Sequence, residues 1–311
     1  MKTAFVLGFS GSFGFAMTQA LLAKGYKVTA LIRNSKQRDL YQHTHLSFVE
    51  GDLLDKTCLK SNCQAHDIIV YGVNVPYADW QTKAIQYLSA TLKACEGSKA
   101  RFVFPANIYP YNPIQHSQIN EQTPQQSLHF LADVRIEMES QIKQASKNGL
   151  NVLIMRAGNY IGAQAPSSWL RFLVKQSKQQ ITISATGNPD SPTSYAFLPD
   201  LAKDTADVLE TNLNDFEEFC FAGHHLSFND MKQNIEQHTP LSVKMAKFPW
   251  GIIKIMSLFI RKMKYLDVTR YLFNTDMRIN DNKLSKQLGR PCTKTVFTQV
   301  LVESQLISYE K

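Results

Sequence analysis

The chain has 311 residues, 44% of them hydrophobic and 19% charged, enough to bury a substantial core as one large domain or two unequal ones. Five cysteines (Cys58, Cys63, Cys95, Cys220, Cys292) are odd in number and form no CxxC pair, which argues against a disulfide framework or a zinc cluster and suits a reducing cytoplasm. The net charge of +8 is uneven: residues 1–240 carry 21 Lys+Arg against 21 Asp+Glu, and residues 241–311 carry 13 against 5, so an anionic contact competes with a solvated basic face for the last quarter.

Met1-Lys2-Thr3 leads directly into an apolar strand, without the features of a signal peptide, and no apolar run approaches the ~18 residues of a membrane span; a soluble cytoplasmic protein is expected. Strands are predicted at Ala4 to Leu7, Val28 to Ile32, Leu46 to Val49, Ile68 to Tyr71, Phe102 to Phe104 and Val152 to Met155. Helical spacing predicts helices over Phe13 to Lys24, Asp79 to Cys95 and Leu128 to Lys147. This alternation gives an α/β fold, a doubly wound parallel sheet of the Rossmann type with helices on both faces. After Gly158 the alternation stops, so residues 1–158 are assigned to the sheet domain and 159–311 to a smaller C-terminal α+β lobe whose chain can cross back to the sheet. Gly187 to Pro192 reads as a turn, Asp200 as a helix N-cap, and Ser227 with Asp230 as a capping box. His224-His225 reads as a strand end, and no residues have metal-ligand spacing.

Directly after the first strand stands Gly8-Phe9-Ser10-Gly11-Ser12-Phe13-Gly14, followed by an Ala/Leu-rich helix. The first glycine permits the tight turn, the second admits a pyrophosphate to the backbone, and the third lets helix and strand pack closely, while the free N–H groups of the helix start face the phosphates. At the end of the second strand Arg33 stands where an NAD-binding unit places an acid, and Asn34, Lys36 and Arg38 follow it. A guanidinium pairs with a 2′-phosphate, so NADP(H) is expected in preference to NAD(H). Asp52 and Leu53, after the third strand, offer an acceptor and an apolar wall to the adenine.

Together with Arg156-Ala157-Gly158-Asn159-Tyr160-Ile161-Gly162 and Leu198-Pro199-Asp200-Leu201-Ala202, these segments resemble the NAD(P)-dependent epimerase/dehydratase group, the extended branch of the short-chain dehydrogenase/reductases, over about residues 1–230. The resemblance implies a substrate lobe after the Rossmann domain. It also implies that Gly72-Val73-Asn74 and Ala157-Gly158-Asn159 line the cofactor near its nicotinamide ribose.

Members of that group carry a Ser or Thr after the fifth strand and a YxxxK pair on the following long helix. Aligning Tyr109 with the group's loop tyrosine puts Pro105 at the hydroxyl position, and matching Leu131 to Glu139 with the YxxxK segment puts Leu131 at the catalytic tyrosine and Arg135 at the lysine. Replacement proton donors are sought among Tyr109, Tyr111, His116 and His129, with Arg135 left as a ligand for cofactor ribose or phosphate. The stretch 248–264 combines an apolar helical face with Lys and Arg; packing on its own lobe is favoured over peripheral contact with a membrane surface. The resulting expectation is an atypical oxidoreductase or sugar-nucleotide-epimerase-like enzyme for a small substrate, with an anionic one suggested by the charge. A non-catalytic NADP(H)-binding sensor or regulator is the rival, and nucleic acid is not expected as a partner.

Overall fold

The computed structural model describes residues 1–166, 168–257, 259, 265 and 267–308. In chain order the elements are β1 (Thr3–Leu7), α1 (Ser12–Ala23), β2 (Lys27–Ile32), β3 (Leu46–Glu50), α2 (Lys56–Ala65), β4 (Ile68–Tyr71), α3 (Ile85–Cys95), β5 (Arg101–Ala106), β6 (Gln118–Ile119), α4 (Phe130–Lys147) and β7 (Asn151–Ala157). There follow β8 (Asn159–Ile161), α5 (Trp169–Leu173), β9 (Val174–Gln176), β10 (Gln180–Ala185), β11 (Thr193–Phe197), α6 (Leu198–Val208), β12 (Phe216–Phe221), β13 (His224–Leu226), α7 (Phe228–Glu236), β14 (Ser242–Lys247), α8 (Trp250–Met256) and β15 (Arg278–Ile279). Helices Asn282–Leu288 and Phe297–Glu303 lie near the C-terminus.

Seven parallel strands form the main sheet in the order β12-β7-β5-β4-β1-β2-β3. Its central strands read as unbroken apolar runs because helices cover both faces: Phe5, Ile69, Phe102 and Ile154 pack on one side, and Val6, Val70, Val103 and Leu153 on the other. The strand order reverses between β1 and β4, and in such sheets ligands bind in the crevice at the carboxyl ends of the two strands that part there.

The six expected strands are present, and the seventh, β12, pairs in parallel with β7 along Phe216 to Phe221. Its sequence, Phe-Glu-Glu-Phe-Cys-Phe, hides the strand because two acids interrupt the apolar run. Both acids have partners: Lys283 Nζ lies 2.8 Å from Glu217 and Arg156 Nη2 lies 2.6 Å from Glu218. Helix α6 packs against α1, so the chain beyond residue 158 supplies both a strand and a helix to the sheet layers.

Asp200 is not the N-cap of α6. The helix opens at Leu198, and the Asp200 carboxylate accepts from the Thr295 N–H and hydroxyl at 2.7 and 2.8 Å. One turn on, buried Asp204 accepts from the Thr293 N–H and hydroxyl at 2.7 and 2.6 Å, tying the segment around residues 293–295 to α6. The Ser227–Asp230 capping box is formed on α7.

The remaining strands and helices build a lobe with its own apolar cluster around Trp169, Leu173, Ile181, Phe228, Phe273 and Val300. The expected packing of 248–264 holds at its start, where Phe248 and Trp250 pack on that cluster, but not along the rest of α8: none of its residues is fully buried, and Ile252 and Ile255 are 58% and 63% exposed. The rest of that stretch, residues 258 and 260–264, lies outside the described residues.

Candidate cofactor and active site

The glycine loop works by contact. Gly8 has φ +76°, and a Cβ on it would lie 2.6 Å from the carbonyl of Gly72; a Cβ on Gly14 would lie 2.3 Å from the Gly8 oxygen. The end of β1, the first turn of α1 and the end of β4 thus meet where any side chain would push them apart. Gly11 caps α1 in an extended conformation with no side-chain hydrogen bond, leaving the first N–H groups of the helix available to an anion. This cradle fits a dinucleotide pyrophosphate.

Ser10 and Arg33 are joined by Gln37, a residue the sequence reading passed over. The Gln37 side chain accepts from the Arg33 backbone N–H at 2.6 Å and donates to the Ser10 hydroxyl at 2.6 Å. Arg33 and Asn34 are exposed, and the Arg33 guanidinium makes no hydrogen bond or ion pair among the described residues. Exposed Asp52 accepts from the Leu54 N–H at 2.8 Å, and Leu53 packs partly into the core.

Beyond the glycine loop a cavity of about 140 Å³ is lined by Ser12, Phe13, Val73, Asn74, Gly158 and Asn159 on one side, and by Tyr77, Trp80, Pro105, Tyr109, Arg135 and Trp169 on the other. Tyr77 and Trp80 enter it because the expected helix Asp79 to Cys95 begins irregularly, with a 3₁₀ turn at Tyr77–Asp79 and a π-turn at Trp80–Ala84. No spacing rule foretells that distortion. Arg135 lies between the Trp80 and Phe104 rings, 5.1 and 5.4 Å from their centres, and donates to the Pro105 carbonyl at 3.4 Å. Among the described residues it has no carboxylate partner and its Nε has no hydrogen bond; burial holds its pKa below the ordinary value. The buried Asn159 amide nitrogen is likewise unpaired. Both residues line the cavity, and a ribose or another oxygen-rich group seated there could satisfy these buried donors after a small side-chain shift.

Of the four candidate proton donors, Tyr109 alone lines this cavity. Its hydroxyl lies 2.7 Å from that of Tyr77, and burial raises the pKa of both. His129 instead caps α4: its Nδ1 accepts from the Ala132 N–H at 3.2 Å, its Nε2 lies 3.1 Å from the Tyr271 hydroxyl, and burial lowers its pKa. Tyr111 is buried under the Arg156 guanidinium, and His116 sits in the loop before β6, away from the cavity. Leu131 is wholly buried in the core. None of the described C-terminal cations lines the cavity; Lys247 and Lys254 are exposed, Lys283 and Arg290 pair with acids, and Arg261 and Lys264 lie outside the described residues.

Beneath the cavity, Arg156 is fully buried and bonded to two carboxylates, Glu139 at 2.6 and 3.1 Å and Glu218 at 2.6 and 3.0 Å. Its Nη1 also donates to the Asn107 carbonyl at 2.6 Å, which anchors the loop carrying Tyr109. Burial opposes the charge, but the two acids outweigh it and raise the pKa of Arg156 well above normal.

A parallel sheet whose switch point carries this glycine contact, with a polar cavity beside it, defines a Rossmann-type α/β protein. More particularly, the chain belongs to the NAD dependent epimerase/dehydratase family, whose model matches residues 4–214. It is 20% identical over 300 residues to the uncharacterized protein y4nG of Sinorhizobium fredii, covering 93% of this chain and 74% of that one. Among solved structures, a UDP-glucuronic acid 4-epimerase from Bacillus cereus in complex with NAD is 18% identical, with 98% of each chain covered and a TM-score of 0.75. A nucleoside-diphosphate-sugar epimerase from Pseudomonas aeruginosa is 16% identical, with 98% and 96% covered and a TM-score of 0.72.

Proposed function

We propose that this chain is a cytoplasmic NADP(H)-binding oxidoreductase or epimerase-like enzyme that works without the Ser-Tyr-Lys set usual in its family. The observation that carries this reading is the convergence of Arg135 and the Tyr77–Tyr109 hydroxyl pair on the cavity lined by Asn74, Gly158 and Asn159. Gly8, Gly11, Ser12, Phe13 and Gly14 would hold the pyrophosphate, Asp52 and Leu53 the adenine, and Val73, Asn74, Arg135, Gly158 and Asn159 the nicotinamide ribose. Arg33, with Asn34 and Ser10 held near it by Gln37, would receive the 2′-phosphate. When bound, the nicotinamide would exchange a hydride with a carbonyl carbon. Tyr109 and Tyr77 would donate the accompanying proton, a role supported by burial, which keeps both hydroxyls protonated at neutral pH.

A second reading, a cofactor-binding sensor without turnover, is favoured by Pro105 and Leu131, which have no proton to give at the two positions where the family places its hydroxyls. Calorimetry with NADPH and NADH, followed by a turnover screen on nucleotide sugars and simple carbonyl compounds, separates the readings. NADPH is expected to bind at least about tenfold more tightly, ~1.4 kcal/mol, with the preference lost in Arg33→Ala. Equal affinities would falsify the cofactor choice, and tight binding without turnover of any carbonyl would favour the sensor.

A further inference from the structure

We propose that the outward side chains of α8, together with Phe259, form a docking face for an anionic lipid membrane. The proposal is independent of the cofactor reading. The helix sequence Trp-Gly-Ile-Ile-Lys-Ile-Met contains no buried residue. Ile252 and Ile255 are 58% and 63% exposed and Phe259 is 84% exposed, so three large apolar side chains of one short segment face outward. The segment is held firmly at its start. The Trp250 indole donates to the Thr186 carbonyl at 2.7 Å, its ring packs on Phe248 at 4.9 Å, and Arg270 lies 5.0 Å above its centre. The outward residues are therefore presented by a fixed base on the lobe.

Charge selects the occupant. From residue 237 to residue 266 the sequence contains no Asp or Glu, while Lys244, Lys247 and Lys254 are exposed on the described part of that stretch. A second copy of the chain seated two-fold on the same face would bring these lysines against the same acid-free stretch of its partner. Nucleic acid would use the lysines and could stack a base on Phe259, but it would leave Ile252 and Ile255 without an apolar partner. Hydrocarbon for the apolar side chains and phosphate or carboxylate headgroups for the lysines satisfy both features at once, as in helices that lie in the plane of a membrane interface.

The test is flotation of the full chain with vesicles of phosphatidylcholine alone and of phosphatidylcholine mixed with phosphatidylserine. Binding is expected to the mixed vesicles and not to the neutral ones, and to weaken as salt screens the lysines. An Ile252→Asp/Ile255→Asp variant should lose about tenfold in bound fraction while its thermal unfolding changes little, because both side chains are mostly exposed. A Lys247→Glu/Lys254→Glu variant should lose the preference for anionic lipid and provides an independent arm if the first variant unfolds. Absence of flotation, equal binding to both vesicles, unchanged binding of both variants, or self-association in sedimentation that the Ile variant abolishes would each overturn the proposal.

Discussion

A Cβ atom on Gly72 would lie 2.7 Å from the Cα of Gly14, so the end of β4 and the first turn of α1 touch at a separation that only glycine permits. Gly72→Ala must therefore displace backbone, at a cost of ~1–3 kcal/mol for overpacking. The displacement falls on the cradle itself, so dinucleotide affinity should drop by more than the change in stability alone implies. Calorimetric titration beside thermal unfolding checks this, and unchanged affinity in a folded Gly72→Ala protein would count against the cradle.

The buried cluster of Arg156 with Glu139 and Glu218 makes a stability prediction. Replacing Arg156 with Met leaves two carboxylates buried without their cation, and breaking a buried pair in this way costs ~3–5 kcal/mol. The thermal midpoint should fall by roughly 5–8 °C, given the unfolding entropy of a chain of 311 residues. A fall of only a degree or two would mean that the acids find water or protonate at little cost.

For any carbonyl compound that is turned over, Tyr109→Phe should slow the reaction by ~10²–10⁴, the usual worth of a positioned acid. Tyr77→Phe should slow it less, because the Tyr109 hydroxyl remains in place. With both hydroxyls raised by burial, the rate should be level from about pH 6 to pH 9. A steep fall on the alkaline side of neutrality would point to another acid. Nucleotide sugars handled by intact family members should turn over slower by orders of magnitude.

Burial holds the His224 pKa at about 4 against an ordinary value of 6.5. The unfolded chain therefore binds a proton at that residue between those values while the folded chain does not. Its contribution to stability is complete above pH 6.5 and is lost as the pH falls toward 4. His224→Phe should flatten that part of the curve of stability against pH, read from urea midpoints; an identical slope in the variant would refute the assignment.

Much of the sheet was legible because its central strands are covered on both sides and must be apolar throughout, as Val6, Val70 and Val103 are. The glycine loop was legible because spacing and close approach are one requirement. Helix α2 was not: only Leu59 and Cys63 of its ten residues are buried, so its apolar stripe is too thin to see, although Asp55 caps it through the N–H groups of Thr57 and Cys58. Strand β12 was masked by acids whose partners lie 62 and 66 residues away. At the site, Tyr109 could be named from its loop. Tyr77, Trp80 and Gln37 could not, since each depends on a turn geometry or a contact between distant segments that composition does not encode.

The return of α6 and β12 to the sheet sets the order in which the protein can be made. While the ribosome has delivered only residues 1–158, β7 stands as an open edge and the face of α1 that α6 covers lies bare. With only β5 on its other side, an exposed edge strand of Val152, Leu153, Ile154 and Met155 is a template for the wrong neighbour, on this chain or another. That hazard ends only when residue 221 has emerged and β12 has closed the edge. A fragment cut at residue 158 would keep the hazard permanently, so expression of the cofactor-binding half alone should yield aggregates where the whole chain stays in solution.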